Sequence, residues 1–207
     1  MSTGTEGGSM SEARARLLDT ATRIFYAEGI HSVGVDRIIA EAQVTRATLY
    51  RHFKGKEELI LSYLQRADHG MRGQVAAIRE QGLSAPDTVR AVSRSIAEGI
   101  QSAGFRGCAF LNAAAEYPEP GHPVHRAVLD HRHWFLETAT QLLEDAGCAP
   151  AEVAGRHFVM LRDGAMAAGC LSDPKPVCET FLHGVEGILR TGTASASDSD
   201  GPGTPSA

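Results

Sequence analysis

Between Thr45 and His52 the chain carries Thr45, Arg46, Thr48, Tyr50 and His52, side chains of the kinds that meet nucleic acid. An arginine can grip a guanine edge or a phosphate with two parallel N–H donors. The threonines are short donors or acceptors, and Thr48 also offers a methyl to a thymine. Tyr50 and His52 provide one directional hydrogen bond each, suited to phosphate oxygens. Lys56 stands where a longer helix begins, and free N–H groups there also favour an anion. Val44, Ala47, Leu49 and Phe53 interleave with this set on the inner side of the same helix, which turns the polar residues outward together.

Such residues need a scaffold, and the flanking sequence supplies one. Leu17, Ala21, Ile24 and Phe25 recur at helical spacing, predicting a first helix from about Glu12 to Ala27 that Gly29 ends. Val35, Ile38, Ile39 and Ala42 predict a short second helix, preceded by Gly34 where a capping hydroxyl would be stronger. Thr45 is placed to cap a third. Two short helices joined by a tight turn and braced by another form a helix-turn-helix, whose second helix fits the major groove.

Charge is segregated in the same direction. Ala13 to Lys56 holds eight basic residues (Arg14, Arg16, Arg23, Arg37, Arg46, Arg51, Lys54, Lys56) against Asp19, Glu28, Asp36 and Glu41, in a chain whose net charge is −5. That stretch is therefore +4 and the remainder −9.

The segment GIHSVGVDRIIAEAQVTRATLYRHF, residues 29–53, resembles the DNA-binding signature of the TetR (tetracycline-repressor-like) family of bacterial transcriptional regulators. Phe25 and Gly29, then Val35, Ile38, Ala42 and Val44, T-L-Y-x-H-F at 48–53 and K-x-E-L at 56–59 carry the resemblance. Gly34 departs from it, where a Ser or Thr is usual, and so does Gln43, where the turn usually has Gly. The resemblance implies an all-α protein with a three-helix N-terminal domain and a larger helical ligand-binding and dimerisation domain. It also implies a homodimer on a partly palindromic operator, released when a small-molecule effector enters the C-terminal domain, with the fourth helix as lever. The DNA-binding residues on this reading are Gly34, Thr45, Arg46, Thr48, Leu49, Tyr50, His52 and Lys56. The expected organisation is a disordered tail over 1–10, the DNA-binding domain over 11–55, the helical domain over 56–190 and a second disordered tail over 191–207.

Beyond residue 56 the pattern stays helical, with breaks at EYPEPGHP, DAGCAP and SDPKP. The last two helices carry small and apolar residues, among them Gly164, Ala168, Phe181, Val185 and Ile188. Periodicity does not separate an internal core from a dimer interface, and the resemblance points to the interface. Phe105, Phe110, Asn112, Glu116, Trp134 and Met160 are candidates to line an effector pocket, with apolar walls and few polar groups. The run GCAFLNAAAE resembles that of a subset of TetR-like regulators but names no ligand.

Other chemistries find little support. His131 and His133 point to nearly opposite sides of a helix, and no metal or other cofactor is expected. No hydrolase elbow, zinc-protease motif, phosphate-cradling loop or dinucleotide fingerprint occurs, which argues against an enzyme. Cys108, Cys148, Cys170 and Cys178 include no C-x-x-C pair and read as reduced residues; the alternatives to an effector-released repressor are a redox regulator sensing through Cys108 or Cys170, or a DNA-binding protein without an effector. No apolar run approaches a membrane span and the start lacks a secretory h-region, so the expected location is the cytoplasm.

Overall fold

The apolar spacing is realised as helices that bury those residues. The computed structural model describes residues 5–197, with side chains from 12 to 191. Through them run α1 (Thr5–Glu28), α2 (Val35–Glu41), α3 (Arg46–His52), α4 (Lys56–Arg79), α5 (Ala85–Ile100), α6 (Ala109–Glu116), α7 (Pro123–Asp145), α8 (Ala151–Ala168) and α9 (Pro174–Ser197). The described residues contain no strand, and the fold is all-α.

The ends differ from expectation. α1 starts at Thr5 and α9 continues to Ser197, so helix takes in part of each expected tail. Extending an existing helix avoids the cost of a new nucleus, which lets even glycine and serine join it. The rest of those tails lies outside the described residues.

Packing also divides the chain differently from a cut at residue 55. One compact unit comprises the chain up to Met71 together with Cys108–His131; the other comprises Arg72–Gly107 and the chain from Arg132 onward. The physical reason lies in α4, whose Leu59, Ile60, Tyr63 and Leu64 are buried, with the Tyr63 ring 5.9 Å from that of Phe25 in α1. Leu17, Ile24, Phe25, Ile38, Leu49 and Phe53 complete the inside of the three N-terminal helices. Further along the same unit, the buried His131 of α7 meets Asp68 of α4 through Nδ1 at 2.7 Å, and Phe110 stacks on its imidazole at 3.5 Å.

In the second unit, Phe135, Phe158 and Phe181 form a chain of ring contacts through α7, α8 and α9. Arg90 of α5 holds Glu186 of α9 with two hydrogen bonds, of 2.7 and 3.0 Å. Close helix approach depends on Gly155, where a Cβ would lie 2.2 Å from Thr140 Oγ1 and 3.0 Å from the Thr140 Cα. Gly164, on the same helix, faces open space instead.

Candidate nucleic-acid interface

α2 begins after Gly34, whose extended backbone suits a cap but which supplies no capping side chain. It ends in a turn where Gln43 takes φ +55, the left-handed conformation that glycine adopts without strain. Thr45 then caps α3: its Oγ1 accepts the Thr48 N–H at 3.1 Å and lies 2.8 Å from Thr48 Oγ1. The hydroxyls of both threonines are thus oriented before any DNA arrives.

Around the axis of α3, Leu49 and Phe53 lie inward and Tyr50 outward, while Ala47, expected on the inner side, is exposed. Leu49 is fully buried and Phe53 nearly so, whereas Tyr50 is 49% exposed. Leu49, which the resemblance groups with the DNA-binding residues, has its side chain beneath the helix, where it seats α3. Arg46 is exposed and ion-paired with Asp36 of α2, so its guanidinium must be shared or released to reach DNA. His52 has its Nε2 buried without a hydrogen-bond partner, leaving only its other ring nitrogen for a phosphate.

Just before α4 the Lys54 N–H donates to the Glu58 carboxylate at 2.6 Å, which ties the entering chain to the first turn of the helix. Lys56, its first residue, is half-buried; burial pushes its ammonium down, and the negative charge of Glu116 opposes this. All four acids between Ala13 and Lys56 are engaged by arginines: Asp19 by Arg66, Glu28 and Glu41 by Arg37, Glu41 also by Arg23, and Asp36 by Arg46. The bond to Arg37 holds the Glu28 carboxyl below its usual range, and Arg23 and Arg37 do the same for Glu41. Arg14, Arg16, Arg51, Lys54 and Lys56 are then the cations that none of those acids matches, and Arg14 lies 5.0 Å over the Phe53 ring at the end of α3.

The turn makes a stability prediction. A left-handed L-residue costs roughly 1–2 kcal/mol and a glycine roughly 0.5–1 in chain entropy, so Gln43→Gly should gain on the order of 0.5–1 kcal/mol. Thermal denaturation should show a midpoint a few degrees higher; a lower one would mean the Gln43 side chain contributes more than its backbone costs.

The other candidate residues are divided between the two units. Phe110, Asn112 and Glu116 lie on α6 in the first unit, with Phe110 buried and Asn112 exposed. The two carboxylate oxygens of Glu116 accept the backbone N–H groups of Ile30 and His31. Phe105, Trp134 and Met160 belong to the second unit, where Arg72 covers the Trp134 ring at 4.2 Å. Met160 is 72% exposed and opens, with Gly164, Ala168 and Phe181, onto an apolar groove of about 390 Å³ along α8 and α9. Ile188 is half-buried and Val185 is 1% exposed. No group of three or more metal-ligating side chains is found among the described residues. Nor is any described helix long and apolar enough to cross a membrane.

Sequence reasoning missed the Arg46–Asp36 pair and the Glu116 contacts. Only the opposite charges hinted at the first. The second had no signal, because backbone amides leave no mark in a sequence.

A capped, outward-facing recognition helix on an all-helical scaffold defines a helix-turn-helix DNA-binding regulator. The model for bacterial regulatory proteins of the tetR family matches residues 17–63. The crystal structure of SCO4454, a TetR-family transcriptional regulator from Streptomyces coelicolor, is 71% identical with a TM-score of 0.87, over 88% of this chain and 97% of that one. The transcriptional activator FasR of Mycolicibacterium smegmatis is 41% identical over 69 residues, a match spanning 33% of this chain and only 32% of FasR. The regulator YjdC of Escherichia coli is 21% identical over 180 residues, 86% of this chain and 93% of YjdC. The chain belongs to the TetR family of transcriptional regulators.

Proposed function

We propose that this regulator is a cytoplasmic repressor that binds a partly palindromic operator as a homodimer and is released by a small-molecule effector. The observation that carries the DNA-reading part is α3 itself, capped by Thr45 and seated on Leu49 and Phe53, with Arg46 and Tyr50 exposed. Support for the homodimer comes from the α8–α9 groove and the exposure of Met160 and Leu171, apolar surface that a second copy would cover. A two-fold dimer sets its recognition helices about one DNA turn apart, roughly 34–36 Å, so an effector needs only a modest displacement to spoil register.

Selection of bound duplexes from a random pool, followed by anisotropy titration of the winner, tests this reading. An enriched inverted repeat bound by two chains supports it; weak, salt-sensitive binding without enrichment overturns sequence-specific recognition.

Two substitutions separate contact types on the selected duplex. Arg46→Ala should relax preference at one operator position and cost on the order of 1–3 kcal/mol of binding. Uniform weakening across sequences would instead make Arg46 a phosphate contact. Lys56→Ala should weaken all sequences alike and reduce the salt slope by about one unit; an unchanged slope would remove Lys56 from the interface.

A thiol-based alternative rests on Cys170, the exposed cysteine. Cys108 is buried, and burial pushes the Cys148 and Cys178 thiols up, away from reactive thiolate. Thiol titration before and after peroxide, compared with DNA affinity, distinguishes this reading.

A further inference from the structure

Glu116 ends α6, yet its carboxylate binds a turn 85 residues earlier in the chain. Oε1 accepts the Ile30 N–H at 2.7 Å and Oε2 the His31 N–H at 2.5 Å. The approach is close: a Cβ on Gly29, whose φ is +90, would stand 3.4 Å from Oε1. The next residue of α6's exit extends the contact, because the Tyr117 ring lies 4.6 Å from that of His31 and 4.6 Å from that of His122. His122 in turn reaches Glu57 of α4 at 3.5 Å, and His125 of α7 donates to the Tyr117 carbonyl at 2.7 Å. All of these residues lie within the first unit.

The bonded turn is the one that delivers the chain into α2. Ile30 and Val33 within it are almost fully buried, so it behaves as a rigid link and not as a loose loop. Charge-assisted bonds to two consecutive amides fix direction as well as distance. Displacing the end of α6 must therefore drag the turn along or break both bonds.

We propose that Glu116 is a positioning residue for DNA recognition: through the Ile30 and His31 amides, the location of α6 sets that of α2 and hence of α3. The proposal rests on the DNA-binding reading above. It also makes a prediction opposite to simple electrostatics. Glu116 is the negative charge that acts on Lys56, so removing it leaves that surface more positive and, by charge alone, strengthens DNA binding. By position, removing it weakens binding.

The full-length chain carrying Glu116→Gln or Glu116→Asp is titrated with the selected operator duplex and with an unrelated duplex, and amide exchange is read at Ile30 and His31. The glutamine keeps the size and loses one acceptor; the aspartate keeps the charge and loses the reach. Both variants should exchange those two amides about tenfold faster or more. Both should bind operator about tenfold more weakly while holding the unrelated duplex at least as well. Linkage is reciprocal, so operator should also slow exchange across Ala113–Tyr117 in the unmutated chain and fail to do so in the variants. Operator affinity that is unchanged or higher in both variants, or unaltered exchange at Ile30 and His31, overturns the proposal while leaving DNA recognition intact. An unmutated chain that selects no duplex overturns the DNA-binding reading itself, and this proposal with it.

Discussion

Leu49→Ala is expected to cost on the order of 2–5 kcal/mol of unfolding free energy and to abolish operator binding, although Leu49 would contact no base or phosphate. The side chain is fully buried, and α3 has only seven residues. A helix this short is not stable by itself in water and holds its shape through the face it buries. Removing three carbons beneath it leaves a void and frees the helix that carries Arg46 and Tyr50. The measurement pairs denaturant unfolding with operator titration. Full operator affinity in a chain destabilised by that much would mean that α3 is held by something other than its buried face.

Gly164→Glu is expected to leave the single chain folded and to raise the dimer dissociation constant at least a hundredfold, on the order of 3 kcal/mol or more, since an unpaired charge enters an apolar contact. Beyond the backbone of its own helix turn, no atom lies within 4 Å of where a Cβ at Gly164 would stand, so the single chain accommodates the larger residue. The same atoms would project into the α8–α9 groove, against which a second copy is proposed to pack. Light scattering should report a monomer, and operator affinity should fall by several orders of magnitude as one half-site contact is lost. Gly155→Ala provides the contrast: it drives a methyl into Thr140 and should lower stability without being specific to association. A Gly164→Glu chain that remains dimeric would move the interface elsewhere.

The helices were legible because burying an apolar stripe and repeating every third or fourth residue are one requirement. Ser84 illustrates how punctuation sharpens this, since it caps α5 by accepting the Asp87 N–H and Pro86 follows in the first turn. α3 was legible for a further reason, because a groove-reading helix must combine a buried face with a polar one within two turns. Two kinds of information were not. The width of the buried face is one: spacing sets Ala47 inside with Leu49, yet Ala47 is exposed and Leu49 is the residue that α3 buries. Contacts to backbone are silent as well: nothing in the letters pairs Glu116 with the amides of Ile30 and His31, since every residue but proline carries such a donor. Small residues posed a third difficulty. Gly155 and Gly164 are indistinguishable as letters, yet one admits a neighbouring helix and the other borders open space.

The first compact unit is assembled from two separate lengths of chain, and this bears on how such a protein can be recombined. A graft that took residues 1–55 and joined them to the sensory part of another regulator would transfer every side chain proposed to read bases. It would leave behind Glu116, Tyr117 and the half of α4 whose Tyr63 packs on Phe25 of α1. The inheritable reading head is therefore not a prefix of the sequence. A working chimera would have to carry the segment 108–131 along with the N-terminus, and its three seams would fall inside α4, just before α6 and inside α7.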